Sequence, residues 1–151
     1  MESPHAHSLR RGRISEPGRS YLLTAVTRNR QRLFTDLIYA RTAIQQLRKI
    51  QGEGVCRSLA WVLMPDHLHW LVELGAGTLA NLMCSFKSRS SVALYRTGAI
   101  RQHIWQQGFH DRALRRDEDI KAVALYIIRN PIRAGIVRRV GEYSHWDCVW
   151  L

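Results

Sequence analysis

The sequence predicts an α+β domain built on a ferredoxin-like antiparallel sheet (split βαβ), with helices on one face and an added C-terminal helix. Three observations predict it. Hydrophobic spacing alternates between strand-like and helix-like periods in the order β-α-β-β-α-β-α. The second and third strands are joined only by Pro65-Asp66, so they pair as an antiparallel hairpin. With 151 residues, 46% of them hydrophobic, the chain has material for one core and one domain.

Tyr21 to Thr27 is apolar, aromatic and β-branched and reads as the first strand. From Asp36 to Gln51, Leu37, Ala40, Ile44 and Leu47 recur at helical spacing, and Gly52 stops the run. Arg57 to Met64 and His67 to Leu74 read as the hairpin strands. Thr78 is suited to cap a long helix reaching Arg96, closed by Gly98, with Leu79, Leu82, Met83, Phe86 and Ala93 inward. Ile104 to Leu114 reads as the fourth strand, bent near Gly108. Asp117 opens the last helix, which turns Ile120, Val123, Ala124, Ile127 and Ile128 inward. Asn130-Pro131 ends it, because the residue before proline avoids the helical region, and Pro131 starts a short turn that stops at Gly135. The aromatic tail from Tyr143 to Leu151 is expected to pack back onto the body. In this arrangement the second face of the sheet is left for a ligand.

Lys and Arg outnumber Asp and Glu by 23 to 12, a formal charge of +11, which favours a polyanionic partner. Nucleic acid is the first expectation and an anionic membrane surface the second. No apolar run reaches the ~20 residues of a transmembrane helix. Met1 to Ser20 carries Arg10, Arg11 and Arg13 but no apolar signal core, and it reads as a flexible basic arm. Cys56, Cys84 and Cys148 form no CxxC pair or zinc spacing. Reduced thiols in a cytoplasmic protein are expected, with Cys84 packed in its helix.

The sharpest local feature is His67-Leu68-His69. Residues two apart on a strand share a face, with Cα atoms roughly 6.5–7 Å apart. Two imidazoles can converge from there on one ion, or simply pack or hydrate as a pair. Leu68, Trp70 and Val72 take the opposite face and anchor the strand in the core. Tyr126 lies about 120° from the centre of the last helix's apolar stripe, at 100° per residue. It therefore reads either as a boundary tyrosine with a wet hydroxyl or as a group reaching the open face. Asp119 and Asn130 share its flank, Asn130 also being suited to cap the turn at Pro131.

Several stretches carry a resemblance. The run WVLMPDHLHWLVEL (61–74) resembles the HUH motif of single-strand DNA transposases, two histidines around a hydrophobic residue. SFKSRSSVALYR (85–96) is similar to their basic central helix. IWQQGFHDRALR (104–115) followed by YIIRNPIRAGIV (126–137) resembles the block around their tyrosine, and YLLTAVTRNRQRLF (21–34) fits their opening. In this order they resemble the REP-associated tyrosine transposases, relatives of the IS200/IS605 group, over roughly 21–137.

The resemblance implies a metal-dependent single-strand DNA endonuclease and strand transferase acting on hairpin DNA of the repetitive extragenic palindrome (REP) type. It implies Tyr126 as nucleophile and His67 and His69 as metal ligands. Asn130 stands where relatives carry a third polar ligand, often the longer Gln. It implies an HUH/Y1 catalytic domain (21–140) in a bacterial, nucleoid-associated protein, flanked by the basic arm (1–20) and the tail (141–151) read from the residues themselves. A monomer is expected over a swapped dimer in which the partner supplies the tyrosine. Arg10, Arg11, Arg13, Lys87, Arg89, Arg96 and Arg112 are the expected phosphate contacts, with His110 and Asp111 as supporting groups. Trp105 and Phe109 are expected in the core, or else stacked on unpaired bases.

Such chemistry suits these residue types. A phenol's reference pKa near 10 leaves about one molecule in a thousand ionised at neutral pH, so a cation at the phosphate has much to contribute. Two imidazoles and an amide leave coordination positions open; Mg²⁺ prefers oxygen ligands and Mn²⁺ tolerates imidazole better. The rival reading is a non-catalytic single-stranded nucleic-acid binding module with a ferredoxin-like fold. It accounts for the charge and the fold but leaves the histidine pair and Tyr126 as coincidence. A water-using nuclease or phosphatase is a further alternative, one that normally carries more carboxylates.

Overall fold

The computed structural model describes residues 15–99 and 101–151. Its elements follow in the order β1 (Ser20–Val26), α1 (Leu37–Gln51), β2 (Cys56–Met64), β3 (His67–Leu74), α2 (Leu79–Arg96), β4 (His110–Ala113), α3 (Ile120–Ile128), α4 (Asn130–Arg133) and β5 (Trp146–Cys148). The strands form one sheet in the order β4-β1-β3-β2-β5, antiparallel throughout. β3 lies between β1 and β2, and β1 between β3 and β4, which is the split βαβ arrangement expected.

The long helices begin where the sequence supplies a side-chain acceptor. Asp36 accepts from the backbone N–H of Ile38 and Tyr39 at 2.9 and 3.1 Å, and Thr78 from that of Asn81 at 3.1 Å. Asp119 does the same for α3, accepting from Ala122 at 3.1 Å. Each cap is worth about 1 kcal/mol. α2 closes at Gly98, whose φ of +109° suits only glycine at low cost.

Two cores sandwich the sheet. α1 and α2 pack on one face, where Leu68, Trp70 and Val72 of β3 meet Phe86 and Leu47. On the other face α3 and the tail pack against β2, with Ala124, Ile127 and Ile128 over Val62 and Leu71. The expected open face is thus covered at its β2 end, because the apolar stripe of α3 needs a surface to bury. A bulge between Ser58 and Ala60 lets Leu59 and Ala60 both serve this second core.

Several expectations shift. The fourth strand keeps only His110–Ala113 of the expected 104–114. Gly108 takes φ +76°, and Ile104, Trp105 and Phe109 enter the core as irregular chain. The tail does pack back, and it adds β5 to the edge of β2. Cys84 is exposed rather than packed, and Leu37 is 49% exposed at the start of α1. Of the basic arm, Arg10, Arg11 and Arg13 lie outside the described residues. Ser15 accepts from the backbone N–H of Leu79, Gly18 donates to the Leu74 carbonyl, and Ser20 opens β1.

Candidate active site

The register puts the histidine pair on the α3 face of the sheet. Thr24 and Val62 lie directly across from His69 on β1 and β2, and His110 lies across from Thr24 on β4, so their side chains share one face. His67 and His69 converge, with ring centroids 4.8 Å apart and planes at 82°. Each ring is held by its Nδ1. His67 Nδ1 lies 2.6 Å from Asp66 Oδ1, and His69 Nδ1 lies 2.9 Å from Thr24 Oγ1. The Asp66 carboxylate can only accept, so His67 Nδ1–H donates to it. The Thr24 hydroxyl accepts from His69 in the tautomer that carries the proton on Nδ1, the form that leaves Nε2 its lone pair, and neither Nε2 has a protein partner among the described residues.

The turn that carries this pair is fixed by its neighbours. The Asp66 carbonyl accepts from the backbone N–H of buried Thr27 at 2.9 Å and from its hydroxyl at 3.1 Å. Phe34 N–H donates to the Pro65 carbonyl at 3.0 Å. Arg30, held at φ +51°, places Nε 3.0 Å from Asp66 Oδ2. Left-handed backbone costs a bulky residue energy that surrounding contacts must offset, and such strain concentrates at working sites.

Partial burial pushes the Asp66 carboxyl up, but the bond from His67 and the charges of His67 and Arg30 outweigh it and hold the group below its ordinary value. His69 is pushed down to about 4, first by burial, then by the neighbouring charges of His67 and Arg133. It is therefore a neutral imidazole at physiological pH, the form a metal ligand requires.

Tyr126 is 62% exposed on α3, the helix that packs on this same face. Its ring lies under the Arg133 guanidinium, whose Cζ is 3.7 Å from the ring centroid. Arg133 also donates from Nη2 to Asn130 Oδ1 at 3.0 Å. Arg133 is thus stacked on Tyr126, bonded to Asn130 and close enough to His69 for its charge to act there. It joins the expected nucleophile, Tyr126, to one expected ligand, Asn130.

The other sequence-derived residues are dispersed. Lys87, Arg89 and Arg96 lie on α2, behind the sheet from the histidines. Lys87 Nζ is spent on the backbone carbonyls of Gln106 and Gly108, and Arg89 pairs with Glu53. Arg112 shares the histidine face by register but pairs with Glu118 at 3.0 Å. His110 is exposed on that face, and Asp111 points to the other. Trp105 and Phe109 are 7% and 6% exposed, and Trp105 Nε1 donates to buried Ser90, so both are core residues rather than stacking platforms. Sequence reasoning missed Thr24, Asp66, Arg30 and Arg133. Asp66, directly before the histidines, was the available signal for a supporting carboxylate; Thr24 is identified only by register.

Comparison with known proteins gives the family and agrees with the fold. The family model described as "Transposase IS200 like" matches residues 18–130. A REP-associated tyrosine transposase of Escherichia coli (strain K12) is 28% identical over 130 residues, covering 83% of this chain and 74% of that protein. The solved structure of a REP-associated tyrosine transposase bound to a REP hairpin superposes with a TM-score of 0.74 at 24% identity, covering 89% of this chain and 79% of that one. A crystal structure of a protein from Deinococcus radiodurans R1 described as a transposase gives a TM-score of 0.56 at 20% identity, over 80% of this chain and 96% of that one. The strand–histidine frame, the tyrosine helix beside it and a family match spanning both hairpin and helix lead to one assignment: the chain belongs to the IS200-like transposase family.

Proposed function

We propose that this chain is a metal-dependent single-strand DNA endonuclease and strand transferase acting on REP-type hairpin DNA through a covalent 5′-phosphotyrosine at Tyr126. The observation that carries the reading is the histidine pair. Both rings are bonded at Nδ1, neither Nε2 has a protein partner among the described residues, and the tyrosine helix packs on their side of the sheet. The similarity to a hairpin-bound transposase supports the choice of DNA.

The donor set fits a divalent ion. Among the described residues no group of three or more His, Cys, Asp or Glu side chains is arranged to hold one, so the ligands would be His67, His69 and the amide oxygen of Asn130. That oxygen already accepts from Arg133 and retains a second lone pair. Two imidazoles make Mn²⁺ the tighter ligand and Mg²⁺ a weaker, competent one. When bound, the ion polarises the scissile phosphate and stabilises its developing charge.

The remaining work falls to protein groups. Asp66 holds the His67 imidazole in one tautomer and orientation, and Thr24 orients that of His69. In the step itself the Tyr126 hydroxyl oxygen bonds to phosphorus as the P–O3′ bond breaks, and the phenol proton ends on the departing 3′ oxygen. Because the phosphoester is conserved, another 3′-hydroxyl can reverse the step and join strands. A monomer is the proposed unit, since the tyrosine helix packs on the histidine face of its own chain's sheet.

The test is incubation of a 3′-labelled, hairpin-bearing single strand with protein and Mn²⁺. Wild type is expected to become labelled covalently and Tyr126→Phe is not. Label transfer to Tyr126→Phe, or none to wild type across a pool of hairpins, contradicts the proposal.

A further inference from the structure

Arg133 stands out among the charged groups of the site. Arg30, bonded to the turn before the histidines, and Arg112, on their face of the sheet, each have a carboxylate partner within 4 Å. Among the described residues Arg133 has none. It stacks on Tyr126 at 3.7 Å and gives one N–H to Asn130 at 3.0 Å, leaving further guanidinium donors without a described partner. A guanidinium with no carboxylate partner among the described residues therefore sits on the face of the tyrosine ring. A fork of N–H donors held against a nucleophile matches the geometry of a phosphate. Stacking and the Asn130 bond restrict its rotamers before any substrate arrives, which lowers the cost of ordering it later.

We propose that Arg133 is a catalytic residue that binds the scissile phosphate alongside Tyr126 and stabilises the charge that builds on its non-bridging oxygens. The proposal rests on the reading of Tyr126 as nucleophile. Arg133 keeps all its protons: the Tyr126 oxygen–phosphorus bond forms, the P–O3′ bond breaks, and the 3′ oxygen leaves with the electron pair and takes the phenol proton. A second consequence is that Arg133 ties up one lone pair of Asn130, so that its removal leaves the amide oxygen fully available to an ion.

The experiment has two stages. A pool of 3′-labelled hairpin single strands with randomised flanks is first incubated with wild type and Mn²⁺; failure to recover any adduct there refutes the tyrosine reading and this proposal with it. On a strand recovered from that pool, Arg133→Gln is expected to form adduct about 100-fold more slowly, the size of loss seen when one transition-state donor is removed. Its affinity for the intact hairpin should stay within about twofold, since phosphates away from the cut dominate binding. Arg133→Lys should recover only part of the rate, because an ammonium lacks the fork. Mn²⁺ affinity without DNA should be unchanged or tighter in Arg133→Gln, as a nearby positive charge is lost. An Arg133→Gln rate within threefold of wild type overturns the proposal. So does a loss of hairpin or Mn²⁺ affinity that accounts for the whole rate defect.

Discussion

Replacing Asp66 with alanine strips the support from His67 and leaves the backbone frame intact. The carboxylate lies 2.6 Å from His67 Nδ1 and 3.0 Å from Arg30 Nε, while the contacts that hold the turn run through the Asp66 carbonyl, which alanine keeps. The Arg30 pair is 64% exposed on the arginine side, so its loss costs about 0–1 kcal/mol. The bond to His67 involves an ionised acceptor and is worth about 1.5–3 kcal/mol. At about 1.4 kcal/mol per decade, that corresponds to a roughly 10–100-fold loss of metal affinity, the range usual for removing the group that orients a ligating histidine. Asp66→Asn keeps an acceptor without the charge and should lie near the low end, at about tenfold. Calorimetric titration of Mn²⁺ into wild type, both variants and His69→Ala measures this directly, with urea melts to show that the variants remain folded. Mn²⁺ affinity of Asp66→Ala within twofold of wild type refutes the reasoning, because the Nδ1 contact would then do nothing for the ligand.

Further predictions follow from the same geometry. His69 has a folded pKa of about 4 against an ordinary 6.5, so its contribution to stability is complete above pH 6.5 and is lost as pH falls through 4. Metal-free wild type should therefore lose about 2.5 kcal/mol more than His69→Gln between pH 7.5 and 4.5 in urea unfolding, and parallel curves for the two exclude this account. Lys87→Met should cost about 1–3 kcal/mol, because the loop carbonyls of Gln106 and Gly108 lose a charged donor, yet leave the salt dependence of DNA binding unchanged. A shallower salt slope in that variant returns Lys87 to the phosphate contacts. Trp61 Nε1 is buried without a partner among the described residues, whereas Trp70 Nε1 donates to Ser58 at 2.9 Å. Trp61→Phe should accordingly be less destabilising than Trp70→Phe by about 1–2 kcal/mol in denaturant melts, and the reverse order contradicts it.

The parts of the fold legible in the sequence are those set by local pattern. The apolar spacing of β3 placed Leu68, Trp70 and Val72 in one core and both histidines on the opposite face, as the register has it. Thr78, Gly98 and Gly135 marked their boundaries because each answers a local backbone need. What escaped depends on contacts distant in sequence. Residues 104–109 look like a strand because they are apolar and aromatic, but only Trp105 bridges to Thr27, and its indole is drawn inward to Ser90. β5 is three residues long and exists through pairing to β2, so no internal period announces it. Cys84 fell on the exposed side of α2, a matter of a few tens of degrees on a helix.

At the site, residue types were readable and partnerships were not. The histidines, Tyr126 and Asn130 could be singled out, since strand and helix geometry limits where they project. The bond from His69 to Thr24 spans 45 residues and that from Arg30 to Asp66 spans 36, and each requires the register of the sheet or the path of a loop. Arg133 sits seven residues beyond Tyr126, across the Pro131 break, and the turn between α3 and α4 is what folds it back over the ring. The expected phosphate contacts on α2 came from charge and from the resemblance of 85–96 to a basic central helix, and neither says which face of a sheet a helix covers.

The central claim is that His67, His69 and Tyr126 of one chain serve the same bound ion and phosphate. Anomalous diffraction at the manganese edge, from crystals grown with Mn²⁺ and a hairpin-bearing single strand, tests it most directly. The expected result is a single peak shared by the Nε2 atoms of His67 and His69, with the Tyr126 hydroxyl of that same chain directed at a phosphorus beside it. A peak that misses either imidazole, or a tyrosine whose hydroxyl faces away from the DNA, contradicts it.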